Sequence, residues 1–321
     1  MKTMLTFEVF LDSLIFSNLI TLMAIGLTLT YLTLKIPNFA HGDMATVGAY
    51  VVLTISRTFS LNPYLSFPLA FLTAGALSLL SYLLVYRPLS RRNANIVVLM
   101  VASIALEIII RSSLHVYADI MSSVQKTYYR GLTYYAIKGF KEEPLRLGPH
   151  KVPVVTLTST LTAIGITVAL YLFLTRTKFG IAMRASIENP NLASTLGINV
   201  NKVYAASWFI AGGLAGLSGA FLPFRIPTSP ELGWELLLKT FAASTLGGLE
   251  SIFGAVIGGY AIGFAEIMGI SMLSSPPFNL STSYRPAIPI VVLIATLLIV
   301  PKGLTSIDVG KLVRRRGKSE G

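Results

Sequence analysis

The strongest constraint on the fold is a set of apolar runs that are long enough to cross a membrane as helices. The first run, Ser13–Leu34, contains no Asp, Glu, Lys or Arg, and an uncharged stretch of about 18 residues or more is typical of a transmembrane helix. Charged residues make up 12% of the sequence and the mean hydropathy is +0.69, whereas soluble domains carry about 25% charged residues. The chain is therefore expected to be an all-α, polytopic membrane protein.

The pattern marks nine candidate segments, two of which are short for a hydrocarbon core about 30 Å thick. The short segments, Met44–Arg57 and Glu235–Leu249, are expected to be tilted, buried in the bundle or re-entrant. The prediction is a single transmembrane domain over residues 1–321, a helical bundle of about 8–9 crossing segments. The other candidates are Ser13–Leu34, Tyr64–Tyr86, Ile96–Val116, Pro153–Thr175, Val203–Phe221, Ile252–Leu273 and Ala287–Val300.

The distribution of basic residues predicts the orientation, because Lys and Arg accumulate in cytoplasmic loops. They cluster after Tyr86, in the loop 176–202 and in the tail 301–321. These regions share one side if Glu235–Leu249 crosses, which predicts a multi-pass protein of the cell (plasma) membrane with a cytoplasmic C-terminus. The segment 117–151 is then an outer loop, and its basic and tyrosine residues suit either a plain connector or a docking surface.

Several kinds of chemistry find no support in the sequence. It contains no cysteine and no G-x-x-x-x-G-K-[ST] loop, and its histidines, His41, His115 and His150, lack the spacing of metal ligands. We therefore expect no enzyme activity, and no cofactor or metal held by this chain. The net charge of +12 is explained by the cytoplasmic loops, and no nucleic-acid partner is expected.

Glycines recur at helical spacing in the second half of the chain. The pairs are Gly212-x-x-x-Gly216, Gly254-x-x-x-Gly258 and Gly259-x-x-x-Gly263. Such spacing places small residues on one helical face and lets two backbones approach closely. The sequence thus predicts a closely packed bundle.

Charged residues also occur inside the apolar segments, where each costs at least about 2.5–3.5 kcal/mol and so usually faces a bundle interior or a cavity. Glu107 and Arg111 are spaced as an i,i+4 ion pair, as are Glu235 and Lys239. Glu266 has no partner at this spacing, so it is expected either near an aqueous interface or along a pathway.

The loop 176–202 contains signals for a short helix. Asn189 is a suitable N-cap, Pro190 suits the first helical position, and Gly197 fits the position after the helix end. The predicted helix, Pro190–Leu196, is too short to be stable alone. It must pack either on its own bundle or on another protein.

A second set of polar residues follows the first apolar run, in the stretch KIPNFAHGD. Pro37 should end or kink the first helix near Ile36. Asn38, His41 and Asp43 then either cap the next helix at the water boundary or face a translocation path, since interrupted helices often mark transporter sites. The basic loops place them nearer the inner mouth than the membrane middle, which favours a gating or structural role over direct substrate contact.

Three stretches together resemble one family. IPNFAHGDMATVGAY, LGGLESIFGAVIGGYAIGFAE and SYRPAIPIVVLIATLLIVPKGL are similar to segments of the branched-chain amino acid permease family, in its shorter permease subunit. The loop 176–202 also resembles the coupling loop of ATP-binding cassette (ABC) importers. The resemblance covers Ile15 to Leu304 and does not extend to the Tyr117–Lys151 segment.

The resemblance implies a permease that forms half of a path for branched-chain or related small amino acids in the membrane lipid. Its implied partners are a second homologous permease, two cytoplasmic ABC ATPases that bind the ATP, and an extracytoplasmic solute-binding protein. It implies that 176–202 is a cytoplasmic coupling loop, with contacts from Asn189, Pro190, Leu192, Ala193, Leu196 and Gly197. The residues expected at a gate or path are Asn38, His41, Asp43, Glu107, Arg111 and Glu266.

Three alternatives remain open at the level of the sequence. Permeases for urea or short amides are similar to this family, so the motif does not fix the substrate. A secondary transporter for small polar solutes would use the charged residues within the spans for ion coupling. A membrane scaffold or sensor would carry out no transport and would leave those residues unexplained.

Overall fold

The computed structural model describes residues 7–137 and 140–306, and within them it is an α-helical bundle with one small hairpin. The all-α prediction is therefore confirmed. Most of the predicted basic tail, 301–321, lies outside the described residues. The helices are α1 (Phe7–Leu34), α2 (His41–Phe59), α3 (Phe67–Ser81), α4 (Arg87–Arg91), α5 (Ile96–Gln125), α6 (Val154–Arg176), α7 (Lys178–Glu188), α8 (Pro190–Thr195), α9 (Val200–Phe221), α10 (Leu232–Gly247), α11 (Ile252–Leu273) and α12 (Ala287–Ile299).

Six helical stretches of the described chain are long and apolar enough to span a membrane, and they correspond to six of the seven predicted segments that were not called short. One of them, Pro63–Arg91, joins α3 to α4 through a π-helical turn, Tyr82–Tyr86. Helix α12 is shorter but apolar. The six stretches are Phe7–Leu34, Pro63–Arg91, Ile96–Gln125, Val154–Arg176, Val200–Phe224 and Ile252–Leu273.

The bundle has two ends, which we name by their contents. The hairpin side carries β1 (Leu145–Leu147) paired antiparallel with β2 (His150–Val152), and the ring of Phe7 at the start of α1 lies 4.5 Å from that of His150. The α8 side carries α7 and α8. There Lys35, just after α1, forms a 2.8 Å ion pair with Glu250 in the turn between α10 and α11.

Helices α9, α10 and α11 repeat the arrangement of α1, α2 and α3 with inverted direction. Helix α1 runs from the hairpin side to the α8 side, and α9 runs the opposite way and ends near Arg225, whose guanidinium lies 2.8 Å from Asp12 of α1. Helix α1 packs on α11 as α3 packs on α9, and α10 packs on α1 as α2 packs on α9. Such inverted repeats are a common plan of membrane transporters.

Glycines form the contacts of this core, which confirms the predicted close packing. A Cβ on Gly212 would lie 2.2 Å from the Cβ of Ser78, and one on Gly258 would lie 2.0 Å from the carbonyl oxygen of Ala243. The backbones therefore touch where the small residues are. The first glycine pair faces α3, the second α10 and the third α1; the glycines are Gly212, Gly216, Gly254, Gly258, Gly259 and Gly263.

The predicted outer loop, 117–151, is more ordered than a connector requires. Its first residues continue α5 to Gln125, nine positions beyond the predicted end at Val116. Tyr134 is fully buried, and its hydroxyl donates to the carbonyl oxygen of Ala220 at 2.7 Å. Tyr129 is buried too, whereas Tyr128 and Tyr135 are exposed. The segment thus anchors to the end of the bundle through alternate tyrosines.

Candidate translocation site and coupling surface

The chain after α1 turns back into the bundle as a short non-helical segment, and α2 begins only at His41. This break leaves backbone groups that must find partners away from water. The N–H of Phe39 donates to Oγ of Ser103 in α5 at 2.6 Å, and the hydroxyl of Tyr86 donates to Oδ1 of Asn38 at 3.2 Å. Asn38 therefore holds the break against the π-helical turn; no side chain caps α2.

His41 lies much deeper than the sequence predicted. Its Nε2 is 3.0 Å from the carbonyl oxygen of Met23, which lies near the middle of the 28-residue α1, and the ring is fully buried. The expectation that this stretch sits near the inner mouth is wrong. The basic loops locate only the end of α1, whereas the non-helical segment that follows carries the start of α2 back toward the middle of the bundle.

Helix α10 begins at the same depth as α2, after a second break. The chain leaves α9 on the hairpin side, re-enters the bundle and forms α10 from Leu232. The two helix starts touch, since a Cβ on Gly42 would lie 2.2 Å from the carbonyl oxygen of Gly233. The N-termini of two half-helices therefore meet in the bundle, and each carries a partial positive charge. The two short predicted segments are thus half-helices buried in the bundle, one of the three options that the sequence left open, and each passes from one end of the bundle to the other together with the non-helical residues before it.

Asp43 lies at this meeting point. Its side chain is only 1% exposed, and neither carboxylate oxygen has a hydrogen-bond partner among the described residues. Oδ1 lies against the start of α10, 2.6 Å from where a Cβ on Gly233 would be. The charges that act on it are those of Glu107 and Arg111 in α5. A buried carboxylate therefore stands between two helix N-termini and one guanidinium.

Glu107 and Arg111 form the predicted ion pair, with 2.8 Å between nitrogen and oxygen. Glu107 is buried, whereas a quarter of the Arg111 side chain is exposed. The guanidinium carbon of Arg111 also lies 5.3 Å from the ring centroid of Trp234 in α10. This stacking of a cation on an aromatic face ties α5 to the first turn of α10.

The same lateral surface carries three further polar groups. Nε2 of His115 lies 3.1 Å from Oε1 of Glu231, just before α10, and both side chains are partly exposed. Glu235 is exposed and makes no hydrogen bond or ion pair within the described chain. We call this surface the α5–α10 face; it consists of Glu107, Arg111, His115, Glu231, Trp234 and Glu235.

The α5–α10 face cannot be covered by lipid tails. Arg111 lies at the middle of the 30-residue α5, and Glu235 lies one turn into a helix that begins inside the bundle. A charged group facing hydrocarbon at such a depth costs at least about 2.5–3.5 kcal/mol. The sequence did not single out His115, Glu231 or Trp234 for this site. The only feature of the sequence that could have indicated these residues is that they are polar or amphipathic and lie close to an apolar run.

Glu266 makes contacts that the sequence did not reveal. Its Oε1 accepts from Nζ of Lys239 and from Nε of Arg285, each at 2.6 Å, and the carboxylate is fully buried. The cations also lie over the ring of Phe16. The predicted pair of Lys239 with Glu235 is therefore wrong, because Lys239 turns inward to a carboxylate of another helix. Glu266 joins α10, α11 and the start of α12 and does not belong to the α5–α10 face.

The predicted helix in the loop 176–202 is present as α8, and its end signals act as expected. Oδ1 of Asn189 accepts from the N–H of Leu192 at 3.0 Å, with Pro190 in the first turn. Gly197 has φ +82°, and the N–H of Ile198 donates to the carbonyl of Ala193 at 3.0 Å, which completes a Schellman motif.

Helix α8 presents a mixed surface. Ala193 is buried, whereas Leu192 and Leu196 are 57% and 73% exposed. The loop also contains α7, which the sequence did not predict, although Thr177 caps it by accepting from the N–H of Gly180 at 2.9 Å. Helix α8 packs on α7 and α9, and α7 packs on α6 and α9. Force applied to α8 would therefore reach two membrane helices.

Two half-helices that meet inside an inverted-repeat bundle, beside a charged lateral face, define a membrane permease. The chain matches the family described as branched-chain amino acid transport system / permease component over residues 9–297. The chain belongs to this family and is a permease subunit of an ABC importer.

Individual relatives agree with this membership. The chain is 41% identical to the probable branched-chain amino acid transport permease protein LivH of Methanocaldococcus jannaschii, over 94% of this chain and 93% of the relative. It is 28% identical to the high-affinity permease protein BraD of Pseudomonas aeruginosa, over 88% and 90%. A xylose permease protein, XylH of Haemophilus influenzae, is 36% identical over only 33% of this chain and 30% of its own length. No solved structure matches the chain.

Proposed function

We propose that the chain forms half of the path through which an ABC importer moves branched-chain amino acids or closely related small amino acids. The charged α5–α10 face carries this proposal, since it lies at mid-depth and needs a polar neighbour. The names of the full-length relatives support the substrate class. A path between this face and the matching face of a second, homologous permease would supply that neighbour.

The two ends of the bundle would face different partners. The α8 side would face the cytoplasm, with Leu192 and Leu196 docked on one of two ABC ATPases, which supply the ATP sites that this chain lacks. A solute-binding protein would deliver substrate at the hairpin side, close to 117–151. The exposed apolar pair on α8 supports this orientation, because a two-turn helix presenting such residues to water invites a protein partner. The chain itself would do no chemistry and hold no cofactor.

ATP-driven closure of the ATPases would move α8, and α7 would pass the motion to α6 and α9. The half-helices would then rock between two arrangements of the bundle, as in other rigid-body transitions. Asn38 and His41 would act as the fixed points of this motion, because they attach the break to the π-helical turn and to α1.

The experiment is uptake by the complete importer reconstituted in vesicles. We expect radiolabelled leucine, isoleucine or valine to accumulate only with ATP and the binding protein. Changing Leu192→Asp with Leu196→Asp should abolish uptake while the permease stays folded. Survival of both uptake and stimulated ATP hydrolysis in this variant would refute the coupling role. Uptake without ATP would indicate a secondary transporter, and uptake blocked by urea rather than leucine would indicate an amide permease.

A further inference from the structure

We propose that the α5–α10 face binds the protonated amino group of the transported solute, with Glu235 and Asp43 as the carboxylates that attract it. This inference rests on the proposed function and extends it from the substrate class to the group that is recognised. The site is built from α2, α5 and the first turn of α10.

The charge of the site is unbalanced. Two exposed carboxylates, those of Glu231 and Glu235, lie on the face, and the side chains of Asp43 and Glu107 are buried behind it. The guanidinium of Arg111 is already paired with Glu107. Glu235 has no ion pair in the described chain, and Lys239, which acts on it electrostatically, directs its nitrogen to Glu266. The face is therefore short of positive charge.

Asp43 gives independent support for a ligand. Its carboxylate is buried without any hydrogen bond from the described residues, and an unpaired buried polar group is costly. The N-termini of α2 and α10 offset part of this cost. A cation bound at the adjacent face would offset more of this cost. It would do so only while the cation is at the depth of Asp43.

The surroundings favour a small aliphatic ammonium compound as that cation. Trp234 is 53% exposed, and aromatic faces attract alkylammonium groups. Leu238, one turn after Trp234 on α10, and Ile108, one turn before Arg111 on α5, are 47% and 51% exposed. They form an apolar border to the site. Arg111, which lies over the ring of Trp234 and is a quarter exposed, would receive a carboxylate. An ammonium group, a carboxylate and an aliphatic side chain together describe a zwitterionic, aliphatic amino acid.

The test uses the complete purified importer without its binding protein, so that only the membrane site responds. The reporter is the emission of Trp234, taken as the difference from a Trp234→Phe importer; the other tryptophan of the chain, Trp208, is buried. The probes are leucine, 3-methylbutan-1-amine, which lacks the carboxylate, and 4-methylpentanoate, which lacks the ammonium group.

We expect saturable changes with leucine and the amine, and none with 4-methylpentanoate over the same range. Glu235→Gln and Asp43→Asn should each raise the half-saturating amine concentration about tenfold or more, because hydrogen bonds to charged groups are the strong ones. Glu143→Gln, an exposed carboxylate in the segment 117–151, is the matched control and should change nothing.

Three results would overturn the inference: no amine response, an equal response to 4-methylpentanoate, or an amine response that Glu235→Gln leaves unchanged. Loss of the second permease from the Glu235→Gln complex would also overturn it, since the face would then be a subunit contact. Leucine uptake by the native importer, measured on the same preparation, distinguishes failure of this inference from failure of the proposed function. If uptake is present without an amine response, only this inference fails; if no amino acid is taken up, the proposed function fails.

Discussion

Nζ of Lys239 lies 2.6 Å from Oε1 of Glu266, although Glu235 is the carboxylate one helical turn away from that lysine. Arg285 approaches the same oxygen at 2.6 Å. One buried carboxylate thus pairs with two cations from different parts of the chain. This contact fixes the half-helix α10 to α11 and α12 at a depth where unpaired charges are expensive.

Replacing Glu266 with Gln should strongly destabilise the permease. The change leaves Lys239 and Arg285 without their counter-charge, and breaking a buried ion pair costs about 3–5 kcal/mol. Thermal unfolding in detergent measures the loss. Glu235→Gln is the control and should change the unfolding temperature little, because Glu235 is exposed. Equal losses in the two variants would mean that Lys239 pairs with Glu235 after all.

Replacing Gly42 with Ala should push the two half-helices apart. The new Cβ would lie 2.2 Å from the carbonyl oxygen of Gly233, and overpacking of this kind costs about 1–3 kcal/mol. We expect lower thermal stability and reduced uptake. Gly165→Ala in α6 meets no atom within 4 Å, so this control should be neutral or slightly stabilising. A harmless Gly42→Ala would show that the helix starts are not in contact.

Replacing Ser103 with Ala should destabilise the non-helical segment that precedes α2. Oγ of Ser103 accepts from the N–H of Phe39 at 2.6 Å in a buried position, and an orphaned buried donor costs about 1–3 kcal/mol. Unfolding temperature and protease sensitivity are the measurements. Ser113→Ala on the same helix removes only an exposed hydroxyl bonded to its own helix. If both alanines behave alike, the serine does not support the break.

Replacing Asn189 with Ala should loosen α8. The change removes the acceptor for the N–H of Leu192, and loss of an N-cap costs about 1 kcal/mol. We expect fewer substrate molecules moved per ATP hydrolysed, because a frayed α8 transmits less motion. Asn189→Ser keeps a capping oxygen and should restore the ratio. A normal ratio in Asn189→Ala would mean that α8 need not be a rigid helix.

Much of the fold follows from local patterns. Helix α11 has the predicted bounds, Ile252–Leu273, because an apolar run of that length satisfies its backbone groups in a membrane as a helix. The end signals of α8 are equally local, since Asn189 and Gly197 act on backbone groups within one turn. The Glu107–Arg111 pair was predictable for the same reason.

Only part of the candidate site was predicted from the sequence. Asn38, His41 and Asp43 were noticed because they interrupt apolar sequence, but their depth was misjudged. Glu231 and Trp234 were missed because they stand at the start of a segment too short to count as a full span. Neither error could be corrected from spacing, since the two breaks are far apart in the chain and meet only in the folded structure.

The sequence by itself determined a multi-pass helical bundle, its closely packed glycine faces, the capped α8 and the family to which the chain belongs. These properties depend on hydropathy, helical spacing and short motifs, which act over a few turns. Only the tertiary structure decided that α2 and α10 start side by side in the bundle, and that Lys239 pairs with Glu266. Such contacts join residues far apart in the chain, and no local preference can specify them.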